Sequence, residues 1–207
     1  MEPQLLNIAE IKIGTYALGP GFRAGVWVQG CPFHCKGCIA PEWIGPGGTE
    51  ISIDEIVDQI LSNDQIQGIT LSGGEPMQQA KGLSELIRRV HNYKPDFNVI
   101  CFTGYRYQDL LKKNHNSSVQ DLISQLDLLI DGPFIQSKND NIGLRGSSNQ
   151  KFIYLSDRLR NFGLEDQPRK VEINFRDGEA FIVGVPPTNF SKAWEIALPP
   201  QSKEMQI

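Results

Sequence analysis

Three of the four cysteines crowd into eight residues, Cys31-Pro-Phe-His-Cys35-Lys-Gly-Cys38, and the fourth, Cys101, stands apart. A disulfide framework usually spreads an even number of cysteines over a small exported chain. This chain runs to 207 residues, and its start, MEPQLLNIAEIKIG, has neither a basic beginning nor a long apolar run. A reducing compartment, the cytoplasm, and a metal site are therefore expected. Structural zinc asks for four closed ligands, commonly two separated pairs. Here there is one triplet; His34 sits next to Cys35, where a common tetrahedral focus is strained, and His91 and His115 are isolated. Three thiolates at spacings of four and three fit an iron–sulfur cubane with one iron left open, and an open coordination position is the mark of a reactive site. Three buried structural cysteines or a zinc knuckle are the plain alternative.

The elements that must position such a loop can be read in outline. Ala24–Gln29 reads as an apolar strand running through Gly30 into the cysteine loop. Ser52 and Glu55 form a capping box, and Ile53, Ile56, Val57 and Ile60 recur with helical period, which predicts a helix over 52–62. Gly68–Ser72 is a short buried strand that runs into Gly73-Gly74-Glu75-Pro76. Leu83, Leu86, Ile87 and Val90 mark a second helix ending near Pro95. Asn98–Phe102 is a third strand, leading into Thr103-Gly104-Tyr105. Tyr107–Lys113 and Ser118–Gln125 read as helical, and Leu126–Ile130 as a fourth strand that ends at Asp131-Gly132-Pro133. Strand alternating with helix implies crossovers and a parallel sheet. The residues of interest all follow strand C-termini, the edge where α/β folds bind ligands. Four or five βα units cannot close an eight-stranded barrel, so an α/β fold with an open partial (β/α) barrel is expected. Residues 1–155 then form the chemical domain. Residues 156–207 form an extension with a β-hairpin over about 171–185, turning at Arg176-Asp177-Gly178-Glu179, and a Pro-rich flexible tail from about Pro186.

Taken in order, Gly19-Pro-Gly-Phe-Arg23, the cysteine loop, Leu71-Ser-Gly-Gly-Glu-Pro76, Thr103-Gly-Tyr105, Asp131-Gly-Pro-Phe134 and Arg145-Gly-Ser-Ser-Asn-Gln150 resemble the radical S-adenosylmethionine (SAM) superfamily. Within it they are similar to the activating proteins of anaerobic (class III) ribonucleotide reductase. The resemblance spans about residues 14–155, and nothing from about 156 onward has a counterpart in the compact activating proteins. It implies a [4Fe-4S] cluster on Cys31, Cys35 and Cys38, with SAM chelating the open iron. One electron, from a reduced flavodoxin or ferredoxin, then cleaves SAM to methionine and a 5′-deoxyadenosyl radical, which takes hydrogen from a backbone glycine of a large glycyl-radical enzyme. It further implies that Gly73, Gly74 and Glu75 hold the methionyl amino group, that Gly37 and Ile39 lie near the adenosyl part, that Thr103 lies near the ribose, and that Asp131 accepts from ribose or methionyl groups. The residues alone leave open a strand-end role for Thr103, a turn or helix cap for Asp131, a solvated loop for His34, a core role for Cys101, and an anion cradle, partner contact or plain turn for Arg145 with Ser147, Ser148 and Asn149. Two other functions stay open: the same chemistry on a different peptide or small molecule, motivated by the hairpin, and a non-catalytic metal-binding module.

Composition bounds the partners. Lys plus Arg number 20 against 24 for Asp plus Glu, a formal charge of −4, which argues against nonspecific binding to nucleic acid or anionic membrane. No apolar run is long enough to span a bilayer.

Overall fold

The computed structural model describes residues 4–112, 117–176, 179–188 and 190. Nine strands and four α-helices are assigned among them. The strands are β1 (Leu5–Thr15), β2 (Arg23–Val28), β3 (Thr49–Ser52), β4 (Gly68–Gly73), β5 (Asn98–Thr103), β6 (Leu128–Asp131), β7 (Lys151–Tyr154), β8 (Val171–Arg176) and β9 (Glu179–Gly184). The helices are α1 (Ile53–Leu61), α2 (Ala80–Tyr93), α3 (Tyr107–Leu110) and α4 (Ser117–Ile123). Seven strands form one sheet in the order β3-β1-β2-β4-β5-β6-β7. The inner pairs β2–β4, β4–β5 and β5–β6 are parallel, and the flanking pairs β1–β2, β1–β3 and β6–β7 are antiparallel. The fold is thus mixed α/β around a parallel centre. The four inner strands and the long helices follow the expected order. Expected and observed strand ends differ by one or two residues, while the helix expected over 107–113 stops at Leu110 and that over 118–125 covers Ser117–Ile123.

The period of two in each inner strand sorts side chains between the two faces of the sheet. Ala24, Val26 and Val28 of β2, Val99 and Cys101 of β5 and Leu129 of β6 face α1, α2 and α4, where Ile56, Ile60, Leu83, Leu86, Ile87 and Leu122 complete the larger core. The opposite face carries Trp27 of β2, Ile100 of β5 and Leu128 and Ile130 of β6. Among the described residues no α-helix packs on that face. Residues after 155 cover it: Leu159 and Leu164 pack with Ile100 and Ile130, and Val183 packs with Trp27, Ala17 and Leu18. The Phe181 ring stands edge-on to Trp27 at 5.7 Å. The extension therefore covers this face of the sheet, with β8 and β9 pairing from Val171↔Gly184 to Arg176↔Glu179. Positions 177 and 178 of the expected turn, and the expected tail from 191, lie outside the described residues.

Arg23 sits fully buried at the entry of β2, the end opposite the cysteines. Its Nε donates to Thr70 Oγ1 at 2.8 Å and its Nη2 to the Ile69 carbonyl at 2.7 Å; Nη1 donates to the Pro20 carbonyl and to Asn98 Oδ1. This knot joins β2, β4 and β5. Burial lowers the guanidinium to about 9, with Asp127 acting the other way. Replacing it strands several buried acceptors, each worth about 1–3 kcal/mol when left unpaired. Arg23→Met is expected to lower stability by about 3 kcal/mol or more in urea unfolding; a loss under about 1 kcal/mol would show that the knot is not a main tie of the sheet.

Candidate functional site

Strand β2 leaves the sheet at Val28 and passes through Gly30, whose φ is +91°, into the cysteine loop. Strand β4 leaves beside it at Gly73, with φ +102°. The two exits are stitched together: the Gly74 N–H donates to the Val28 carbonyl at 2.7 Å and the Glu75 N–H to the Gly30 carbonyl at 2.8 Å. A Cβ on Gly73 would lie 2.5 Å from the Val28 backbone, and one on Gly74 would lie 2.2 Å from the Gly30 carbonyl oxygen. Both positions need glycine because one strand exit crosses the other. The close ligand approach expected at Gly73 and Gly74 is, on the Cβ side, taken by the chain itself.

Glu75 makes the corner rigid. It is 1% exposed, and among the described residues it has no ion pair. Its Oε1 accepts from the Met77 N–H at 2.9 Å and the Thr103 hydroxyl at 2.8 Å, and its Oε2 from the Gly104 N–H at 2.8 Å. It caps the 3₁₀ turn Pro76–Gln79 and ties the β4 exit to the β5 exit. Burial pushes the carboxyl up to about 7, against the three hydrogen bonds, which favour the anion. These three hydrogen bonds give Glu75 a positional part within the chain, joining the β4 exit to the β5 exit. Thr103 is buried too. It donates to Glu75 and accepts from the Tyr105 N–H at 3.1 Å, which ties its hydroxyl into the corner. Asp131 accepts from the Tyr107 N–H at 2.6 Å, at the start of α3, and from the Lys151 N–H at 3.3 Å. These bonds place it at the start of α3 and against β7.

The three clustered cysteines are free thiols, partly exposed, in a loop with little backbone bonding of its own. Burial raises the Cys31 thiol; the Phe33 amide opposes this, while Glu75, Cys35 and Cys38 add to it. Burial likewise raises Cys38, opposed by the Ala40 amide. Among the described residues no three His, Cys, Asp or Glu side chains close on one metal ion. A zinc knuckle needs that convergence. A cubane does not, because its thiolates go to separate irons, and backbone amides directed at sulfur suit such a cluster. Thiolates crowded at one loop raise one another's cost until a cation arrives, so the donor set fits the iron–sulfur group. Cys101 is fully buried in mid-β5, outside the loop. His34 is exposed.

Gly37 adopts φ +75°, and a Cβ there would meet the Gln136 side chain at 2.9 Å. Ile39, beside Cys38, is 62% exposed. Sequence reading missed Phe33. Its ring stands edge-on to Tyr105 at 4.7 Å and fills the space where a Gly104 side chain would be. It also missed Gln29 and Gln79. The Gln29 Nε2 donates to the Glu42 and Gly45 carbonyls, and the Gln79 amide bonds Asn7 and the Gln29 carbonyl, pinning the loop's return to β1. The one available signal was composition: an aromatic inside the cysteine loop and a glycine at the β5 exit. The structure gives Arg145 partners within the chain. It pairs with Asp140 at 3.0 Å, and its carbonyl accepts from Arg169 of the extension at 2.6 Å.

Residues 17–153 match the family model of the 4Fe-4S single cluster domain. A relative from Haemophilus influenzae, an anaerobic ribonucleoside-triphosphate reductase-activating protein, is 34% identical over 142 residues, 64% of this chain and 87% of its own. Proteins of the same description from Vibrio cholerae and Escherichia coli are 35% identical over 141 residues and 33% identical over 146. The chain belongs to this family of iron–sulfur activating proteins. A crystal structure of QueE from Escherichia coli overlaps 48% of this chain and 53% of its own at 16% identity and a TM-score of 0.36, too slight to define a shared fold. No helix among the described residues is long and apolar enough to cross a membrane.

Two outcomes follow for the corner. Gly74→Ala is expected to displace the β2 exit and raise the reactivity of the cysteine thiols toward Ellman's reagent at least about threefold, since backbone rather than a flexible tip must move; wild-type thiol rates would count against the clamp. For Glu75 the folded carboxyl lies above its ordinary 4.5, so its contribution is fully present below that value and is lost as pH rises through about 7. Between pH 4.5 and 7.5 this removes about 3 kcal/mol of stability in the metal-free protein. Glu75→Gln should flatten that slope in thermal unfolding; an unchanged slope would assign it to other groups.

Proposed function

We propose that this chain is a radical SAM activase that places a glycyl radical on anaerobic ribonucleoside-triphosphate reductase. The observation that carries the reading is the cysteine loop itself: three unpaired thiols on the β2 exit, fixed to the Gly73–Glu75 corner, in a chain of the activating-protein family. Cys31, Cys35 and Cys38 would hold the [4Fe-4S] cluster. SAM would lie along the strand edge between this loop and the β4 and β5 exits, where the seven-stranded sheet is read as an open partial barrel. Bound there, cluster and SAM together supply one-electron cleavage of the sulfonium and so a carbon radical able to take hydrogen from a backbone glycine. The residues of this chain hold, orient and screen. Gly73 and Gly74 bring the corner backbone against the loop. Glu75, with Thr103, keeps that backbone in register. Asp131 fixes the start of α3. Gly37 turns the loop past Gln136, and exposed Ile39 offers apolar cover beside the last thiolate. A reduced flavodoxin or ferredoxin is the proposed electron donor, in a reducing cytoplasm.

The test is turnover after anaerobic reconstitution. The wild-type protein should bind iron and sulfide near four each per chain, release 5′-deoxyadenosine from SAM under strong reductant, and give a glycyl radical signal in electron paramagnetic resonance with the reductase. Cys31→Ala, Cys35→Ala and Cys38→Ala should each lose SAM cleavage, while Cys101→Ala should keep it largely intact. Zinc in place of iron, or reconstituted protein indifferent to SAM, would overturn the reading; loss of cleavage in a folded Cys101→Ala would overturn the ligand assignment.

A further inference from the structure

A cavity of about 380 Å³ opens on the same strand edge, between the start of α3, the Asp131–Ile135 turn and β7. It contains none of the three clustered cysteines and none of Gly73–Glu75. It borders the cysteine loop through the turn 136–138, whose Gln136 lies against Gly37 while Lys138 lines the cavity. The floor is fixed: Asn149 Nδ2 donates to the Pro133 carbonyl at 2.8 Å and Gln150 Nε2 to the Gly132 carbonyl at 2.9 Å. The Arg145–Gln150 segment, which the sequence marked out, thus acts by shaping this turn.

The charges left over are of one sign. Arg106, Lys138 and Lys151 line the cavity from three different elements, all exposed, and none has an ion pair among the described residues. The one carboxylate in the lining, Asp131, is occupied by two backbone N–H groups. On a chain of net charge −4, three unspent cations around one opening are a local reversal of the overall balance. Ile135 and Ile153 add apolar wall. Cationic rims with apolar walls suit a protein segment that carries carboxylates, and a rim of this kind acts on encounter and register more than on the chemistry beneath.

We propose that this cavity docks an acidic segment of the partner enzyme, with Arg106, Lys138 and Lys151 as the contacts that bring the partner to the cysteine loop. The proposal deepens the activase reading and rests on it. The reaction there needs a protein backbone at the cysteine loop, and the cavity lies one short turn away from that loop.

The test compares wild type with the triple variant Arg106→Gln, Lys138→Gln, Lys151→Gln. Both are reconstituted anaerobically and assayed with SAM alone and with the anaerobic reductase. None of the three side chains is assigned to cluster or SAM, so release of 5′-deoxyadenosine without partner should stay within about twofold of wild type. Initial glycyl-radical formation on the reductase at low salt should fall about tenfold or more, and the fall with added salt seen for wild type should flatten. The charge-keeping variant Arg106→Lys, Lys138→Arg, Lys151→Arg should retain at least about half of the wild-type rate, which separates charge from folding. Equal radical formation by wild type and the neutral triple variant overturns the docking proposal alone. So does loss of partner activation in both triple variants, or inorganic phosphate binding in the cavity with partner affinity unchanged. Wild type that cleaves SAM yet never radicalises the reductase overturns the activase reading itself.

Discussion

One carboxylate holds the chemical edge of this molecule together. Glu75 receives the Thr103 hydroxyl and the Gly104 and Met77 amides, and its own amide reaches back to Gly30, one residue before the first clustered cysteine. Three strand exits, those of β2, β4 and β5, are therefore joined at one buried point. A charge held there without a cation is costly, and its raised proton affinity records that cost. The glycines on either side are consequences of the same crossing. Nothing with a Cβ lets the β4 exit pass so close to Val28 and Gly30.

The two ends of the parallel strands do different work. At the entry end Arg23 gathers acceptors from β4, β5 and the loop before it, which braces the sheet against shear. At the exit end the chain leaves its strands as loops, held by a few long-range amide contacts from Gln29, Gln79 and Gln150. Stability is concentrated in the scaffold, and the reactive segment is attached to it at named points. The extension beyond residue 155 belongs to the scaffold side. It supplies Leu159, Leu164 and Val183 to this face, and through Arg169, whose side chain is 2% exposed, it grips the Arg145–Gly146 backbone.

Much of this was readable in the residues. The apolar period of 3.6 in α1 and α2, the buried strands between glycines, and the alternation in β8 and β9 are local signals, and they gave element types and order. Strand β1 was not legible because its register shifts between Ile8 and Glu10. Leu6 and Ile8 therefore alternate in one phase and Ile11 and Ile13 in the other, and the period of two is broken within the strand. Strands β3 and β7 span only four residues each, too short to carry a period. At the site, the cysteine spacing was informative because it is local. The hydrogen bonds of Glu75, Thr103 and Asp131 were not, because each of the three has at least one partner 24 or more residues away that only the packed sheet brings near. The packing of Phe33 against Tyr105 and Gly104 was hidden for the same reason.

The three cores are filled by aliphatic and aromatic side chains, and the clustered thiols lie outside all of them. The polypeptide can thus complete its architecture before any inorganic component arrives. A prosthetic group held at Cys31, Cys35 and Cys38 would therefore meet a partly exposed surface loop rather than a sealed interior.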